Sequence, residues 1–390
     1  MDNNIIPEDN RKVIEFLKKN PRLTNGPQVK KFEEKWSNWL GVKYSVFVNS
    51  GSAANLASIS YLRTKYNDGE IIVPTITWVS DILSVFYNNF KPVFVDINKD
   101  NLAINEDLIE KAINKKTRAI FLTHVLGLNG LTKKIINLAK KNHLYLIEDV
   151  CESHGATFKN KKVGTYGDIS NFSFYFAHHM STIEGGMVCT NNKEIYEKIR
   201  IIRGHGLLRE STDVNLKKTI SKKYNKLNNE FLFIYPGYNL RSTEINAIYG
   251  LNQIRRLDKN NSIRKKNFEY FLKNLDNEKY FTKFDLDGSC NYAFIVLFNK
   301  GYQNFNFRNN FENKLKKFNI EFRRGLSGGG NQTIQPYSKY FKTKQKIVSK
   351  LQTTNLVHKF GYYIGNYPTL KHSKIKILYT VGRTSLVHTS

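Results

Sequence analysis

Short apolar runs alternate with amphipathic stretches along the first half of the chain. YSVFV (44–48), EIIVP (70–74), KPVFVD (91–96), RAIFLTH (118–124), LYLIED (144–149) and NFSFYF (171–176) read as strands, and helix-like segments such as DLIEKAIN and KKIINLAKKN lie between several of them. Buried strands joined by helices predict an α/β domain with a mostly parallel sheet. A long amphipathic stretch, STEINAIYGLNQIRRLDKNNSIRKKNFEYFLKNL, then leads into a second region. That region mixes a strand, NYAFIVLF, with a helix, FRNNFENKLKKF, and carries a Gly-rich loop at Leu326–Asn331. The division expected is a large domain over residues 1–255 and a smaller α+β domain over 256–390. There are no internal repeats and no low-complexity tail.

Composition narrows the classes. A chain of 390 residues with 40% hydrophobic and 13% aromatic content supports a packed protein of more than one core. No apolar run is long enough to span a bilayer, and the start, MDNNIIPEDNRK, lacks the apolar stretch of a secretory leader. The cytoplasm is therefore the expected location, with no membrane partner. Cys151, Cys189 and Cys290 are far apart and form no CxxC spacing, which argues against a disulfide framework, a structural zinc or a cysteine-held iron–sulfur cluster. No metal site is predicted. The net charge of +28 has two readings, an electrostatic funnel for a polyanion or the codon bias of an AT-rich genome. Lysine is scattered through helical stretches beside abundant Asn, and no RNA-binding, zinc-finger or helix-turn-helix pattern accompanies it. The charge thus reads as solvated faces, and no nucleic-acid partner is predicted.

Four stretches carry candidate chemistry. In YSVFVNSGSAANLASISYL a strand runs into Asn49-Ser50-Gly51-Ser52 and a helix starts at Ala53. Free N–H groups there suit a phosphate, although Ser and Gly also simply cap helices. In LYLIEDVCESHGA, Asp149 ends a buried strand, where open α/β sheets place ligand-binding groups. A carboxylate there can hold a protonated ring nitrogen, as pyridoxal phosphate requires, or can cap the next helix. Ser173 lies on NFSFYF, followed by Ala177-His178-His179 and Glu184-Gly185-Gly186. The fourth stretch is PGYNLRSTEINAIYGLNQIRRL, with Asn239 ahead of a helix.

Together and in this order the four resemble the DegT/DnrJ/EryC1/StrS sugar aminotransferase family, which has the aspartate-aminotransferase (type I) fold. The resemblance runs from LTNGPQVKKFEEKWSNWLGVKY to GYYIGNYP. It implies that Ser52 and Ala53 cradle the phosphate of pyridoxal 5′-phosphate (PLP), that Trp78 stacks on the ring, that Asp149 holds the ring nitrogen and that Ser173 touches the phosphate. It also implies that Asn239 reaches that phosphate from a partner subunit, hence a homodimer with shared active sites. Most of the family carries Lys-Asn where this chain has His178-His179, and the lysine forms the internal Schiff base. No lysine occurs between Lys162 and Lys193. Histidine moves protons near neutral pH but makes no stable imine.

The His-His pair before Glu-Gly-Gly resembles the 3-dehydratases of dideoxysugar synthesis, which use PLP and its pyridoxamine form (PMP). Without cluster cysteines, the match is to the GDP-4-keto-6-deoxymannose 3-dehydratase type. This implies a noncovalently bound cofactor, L-glutamate as amine donor, and removal of the 3-hydroxyl of a nucleotide-linked 4-keto sugar with His178 as the base. Glu152 stands where the aminotransferases carry a Gln to the cofactor's phenolic oxygen, and reads equally as a helix-surface residue. His205 reads as a sugar contact or acid, or as a structural loop residue. His179 and Arg324, the latter beside the glycine loop, are further candidates for substrate. The competing expectations are a PMP-dependent nucleotide-sugar aminotransferase and a non-catalytic homologue that keeps the cofactor pocket.

Overall fold

The computed structural model describes residues 4–341 and 345–383. Eight strands form one sheet in the order Tyr44–Val48, Gly186–Thr190, Ile169–Ser173, Tyr145–Asp149, Thr117–Thr123, Glu70–Pro74, Lys91–Val95 and Lys346–Ile347. Neighbours are parallel except around Gly186–Thr190, which runs antiparallel to both of its partners. The near-continuous apolar runs are explained by burial on both faces. All five residues of Glu70–Pro74 are buried, so no alternation of polar positions survives. Two of the intervening helices begin on polar caps that satisfy free N–H groups: Ser50 Oγ accepts from Ala53 N–H at 3.0 Å, and Thr132 Oγ1 from Ile135 N–H at 3.2 Å.

Two expected elements end differently. NFSFYF is a strand only to Ser173, because its pairing with the antiparallel neighbour ends at Ser173 opposite Gly186. Phe174 N–H still donates to Gly185 O, but Tyr175 and Phe176 turn out to the surface. The long amphipathic stretch is two helices, Glu244–Gln253 and Leu257–Asn274, separated by a 3₁₀ turn at Ile254–Arg256. The Arg256 guanidinium donates to buried Asp9 and to Asn4 O, drawing this turn onto the N-terminal helix Pro7–Leu17.

A second, antiparallel sheet joins Ala293–Leu297, Gly361–Gly365 and Arg323–Arg324. Its apolar core is continuous with Val125, Leu126 and Leu128, which follow the strand Thr117–Thr123. Gly127, at φ +90°, permits that contact: a Cβ there would sit 2.4 Å from Asn291 Cα. The chain after residue 256 also returns to the large sheet, since Lys346–Ile347 is its edge strand. No helix of the described residues is long and apolar enough to cross a membrane.

Candidate active site

The parallel strands all end on one side of the large sheet, where α/β folds gather ligand-binding groups. A cavity of about 330 Å³ opens there, of small-ligand size. The turn after Tyr44–Val48 contributes Ser50, Gly51 and Ser52; the turn after Glu70–Pro74 contributes Trp78. Asp149 and Glu152 come from the end of Tyr145–Asp149, Ser173 and His178 from the end of Ile169–Ser173, and Tyr292, Ser327 and Tyr363 close it from the smaller sheet's side. Gly51 is required by close packing, because a Cβ there would lie 2.5 Å from Ser173 Cβ. Ser52 is exposed to this space, and Trp78 lies 53% exposed beside it, an unusual position for an indole unless a ligand covers it. Ala53 is buried behind the turn with its N–H already bonded to Ser50 Oγ.

Carboxyl groups dominate the floor. Asp149, 2% exposed, accepts the Cys151 N–H at 2.8 Å and the Asn55 side-chain amide at 3.1 Å. The same amide donates to Asp81 at 2.6 Å. Burial, reinforced by the negative charge of Asp149, holds Asp81 well above the usual carboxyl range. Glu152 accepts from Leu126 N–H and from the Ser327 hydroxyl, each at 2.9 Å. Burial outweighs those bonds and pushes Glu152 up to about 7.

The two histidines face different ways. His178 lines the cavity; its Nδ1 is buried without a hydrogen-bond partner, and its ring centroid is 5.9 Å from that of Tyr292. Burial lowers its pKa to about 4, against the opposing pull of Asp149, so the imidazole is neutral near pH 7. His179 turns into the core, donating from Nε2 to Cys290 O at 2.7 Å and stacking on buried His154 at 5.1 Å.

Three further candidates lie outside the cavity of this single chain. His205 is exposed at φ +65°, with its Nε2 3.3 Å from the Arg241 guanidinium. Asn239 is exposed on the segment whose Leu240 O accepts the Asn49 N–H. Arg324 is exposed and its guanidinium is engaged by Glu312, at 2.7 Å from Nε. The sequence reading passed over Asn55, Asp81, Tyr292, Ser327 and Tyr363. Only Asn55 left a local signal: it follows Gly51 by four residues, on the same helix face.

The model of the DegT/DnrJ/EryC1/StrS aminotransferase family matches residues 3–379. The chain belongs to that family. It is 31% identical to GDP-4-keto-6-deoxy-D-mannose 3-dehydratase of Escherichia coli O55:H7, over 91% of this chain and 92% of that protein. The enzyme of the same name from Yersinia pseudotuberculosis is also 31% identical, over 92% of this chain and 91% of that one. Among solved structures, GDP-4-keto-6-deoxymannose-3-dehydratase with a trapped PLP–glutamate geminal diamine superposes with a TM-score of 0.88 at 28% identity, covering 97% of this chain and 98% of that one. The architecture is accordingly that of the PLP-dependent aminotransferase fold, as the resemblance implied. Among the described residues, no lysine lines this cavity.

Proposed function

We propose that this protein is a PLP/PMP-dependent lyase that removes the 3-hydroxyl of a nucleotide-linked 4-keto sugar, with glutamate as amine donor, in deoxysugar synthesis for a surface polysaccharide. The observation that carries the reading is His178 on the wall of a cavity that no lysine lines among the described residues. The relatives named above, dehydratases of a GDP-linked keto sugar, point to the same reaction, and the PLP–glutamate adduct in the solved neighbour supports glutamate.

The residues present fit the cofactor. An exposed Ser52, a helix start with free N–H groups and Ser173 offer donors to a phosphate, while Gly51 keeps the turn clear. A buried carboxylate and an uncovered indole suit a protonated pyridine ring. In this reading Asp149 keeps a proton at the ring nitrogen, and Trp78 covers the ring face. Bound PMP would supply a primary amine and an electron sink. His178, neutral near pH 7, moves a proton at the cofactor's C4′ carbon. Glu152, with a pKa of about 7, can hold or give up a proton beside Ser327. Without a lysine the cofactor is held noncovalently, so nothing in the site recaptures it after elimination.

The active unit in this reading is a cytoplasmic homodimer. Asn239 of one subunit completes the phosphate site of the other, and His205 stands ready as a sugar contact or acid. Residues 1–255 form the cofactor-binding domain and 256–390 the smaller domain, with Arg324 and the glycine loop as the candidates to wrap the sugar nucleotide. A second reading, a PMP-dependent sugar aminotransferase, is favoured by the family fold itself.

One experiment separates the two. The protein is incubated with PLP, glutamate and a panel of 4-keto nucleotide sugars, and the products are followed by mass spectrometry and an ammonia assay. Dehydration yields a sugar nucleotide lighter by one oxygen, with ammonia and 2-oxoglutarate. An amino sugar without free ammonia would establish the aminotransferase instead.

A further inference from the structure

Asp81 and Asp149 bring two carboxyl groups together at the floor of the cavity from different elements. Asp81 lies in the first turn of the helix Val79–Tyr87 and is wholly buried; Asp149 ends its strand and lines the cavity. One amide, that of Asn55, bridges them, donating to Asp81 at 2.6 Å and to Asp149 at 3.1 Å. The remaining contacts come from neutral donors. The Thr77 and Thr123 hydroxyls bond Asp81, the latter at 2.7 Å, and the Cys151 N–H bonds Asp149.

The titratable groups that face the pair supply no positive charge. Burial raises the Cys151 thiol and the Tyr337 hydroxyl, keeping both protonated, and holds His178 neutral. No lysine or arginine is recorded against either carboxyl among the described residues. Two buried carboxyl groups that share one amide donor, with no cation beside them, do not both ionise. Asp81 is the more deeply placed, so it keeps the proton.

We propose that Asp81 is a neutral carboxylic acid at physiological pH, donating to Asp149 and so positioning it as a single shared negative charge toward the cavity. The functional part of this inference rests on the cofactor reading above. An acid that donates to Asp149 makes it a weaker base, so a proton lying between Asp149 and a pyridine ring stays on the ring. The pair then presents one charge to one ring cation, and Asp81 acts through Asp149 without touching the cofactor.

The test begins on the cofactor-free protein. Infrared difference spectroscopy at neutral pH is done in the Glu152→Gln background, because Glu152 also holds a proton near pH 7; the carbonyl stretch of a buried protonated carboxyl should remain there and be removed by adding Asp81→Asn. Absence of that band from Glu152→Gln, or its persistence in the double variant, overturns the proposal. The second arm measures PLP and PMP affinity by fluorescence quenching. Asp81→Leu, which has no donor, should weaken binding by about tenfold, the worth of one displaced pKa unit, and Asp81→Asn should recover most of that loss. In the parent protein affinity should fall at alkaline pH as the shared proton is lost, and this step should vanish in Asp81→Asn. An Asn variant as weak as Leu would mean that an ionised Asp81 is needed, and would overturn the proposal. Failure of the parent protein to bind either cofactor form would sink the cofactor reading while leaving the infrared result to decide the proton's place.

Discussion

Glu152 offers the most quantitative test of how the cavity treats charge. It is 9% exposed, bonded to Leu126 N–H and Ser327, and raised from an ordinary 4.5 to about 7. At about 1.4 kcal/mol for each tenfold, that displacement costs the folded state about 3 kcal/mol once the carboxyl is ionised in both states. The sign follows from which state releases its proton first. Below 4.5 the group is protonated folded and unfolded, and stability is undiminished. As pH rises toward 7 the unfolded chain ionises first, so stability falls, and it levels off above about 7. Glu152→Gln is neutral at every pH: its oxygen can accept the Leu126 N–H while its amide donates to the Ser327 hydroxyl. The variant should therefore gain on the parent by about 2 kcal/mol between about pH 5 and about pH 8. For 390 residues, with an unfolding entropy of about 2 cal/mol/K per residue, this is a relative Tm shift of about 2.5 °C. Thermal melts of both cofactor-free proteins across that range read it directly, and other titrating groups cancel in the comparison. A constant offset between the two curves, or a variant that loses ground at the higher pH, would refute the claim that burial governs this carboxyl.

Other outcomes follow from the same geometry. Borohydride reduction of the PLP-loaded protein should leave no cofactor on the chain; a modified lysine peptide in the digest would contradict noncovalent binding. His178→Asn should keep PMP binding but lower turnover by roughly a hundredfold or more, the usual scale for loss of a general base, and His178→Lys should retain PLP covalently and stop dehydration. If active sites are shared, inactive His178→Asn and Asn239→Asp dimers should regain activity when subunits are exchanged, and no recovery would argue for self-contained subunits. Arg203, 1% exposed, donates to Glu33 at 2.8 Å. Arg203→Met, which leaves that buried carboxylate only the Phe47 N–H and Arg200 at 3.9 Å, should cost about 3 kcal/mol in denaturant titrations, with much of the loss recovered by adding Glu33→Gln.

The strands were legible because burial on both faces erases polar positions, a signal that needs no knowledge of neighbours. The same holds for Ser52, Trp78, Asp149 and His178, each of which follows or ends a strand, where chemistry in such folds concentrates. Asn55 left only its spacing from Gly51 and Asp81 left nothing, because a polar residue within a helix takes its meaning from its partner. For Asn55 that partner is Asp149, 94 residues away. Tyr292, Ser327 and Tyr363 reach the cavity only through the folding of the smaller sheet against the loop at Leu126. Arg324 shows a local competitor at work: it stands near the glycine loop, but Glu312 of the helix Phe305–Lys317 holds its guanidinium. The edge strand Lys346–Ile347 is only two residues long and paired on one side, too little for any periodicity to register.

The placement of His178 also bears on the proposal that it stands where the resemblance puts a lysine. Its backbone is fixed from outside the cavity: the Asn4 side-chain amide donates to His178 O at 2.5 Å, and His178 N–H donates to Tyr175 O at 3.0 Å. The turn is therefore held independently of what the side chain does. Burial disfavours any cation at this point, and a lysine would meet that penalty by being desolvated or by bonding to a ligand. An imidazole meets it by remaining neutral, its pKa near 4, and keeps a lone pair free at physiological pH. Its buried Nδ1, without a partner in the protein, is a cost the fold has not removed. That cost has no structural return unless a ligand shares the cavity. In the proposed reaction the return is proton transfer at a carbon, which requires a neutral base aimed into the site and no covalent hold on the cofactor.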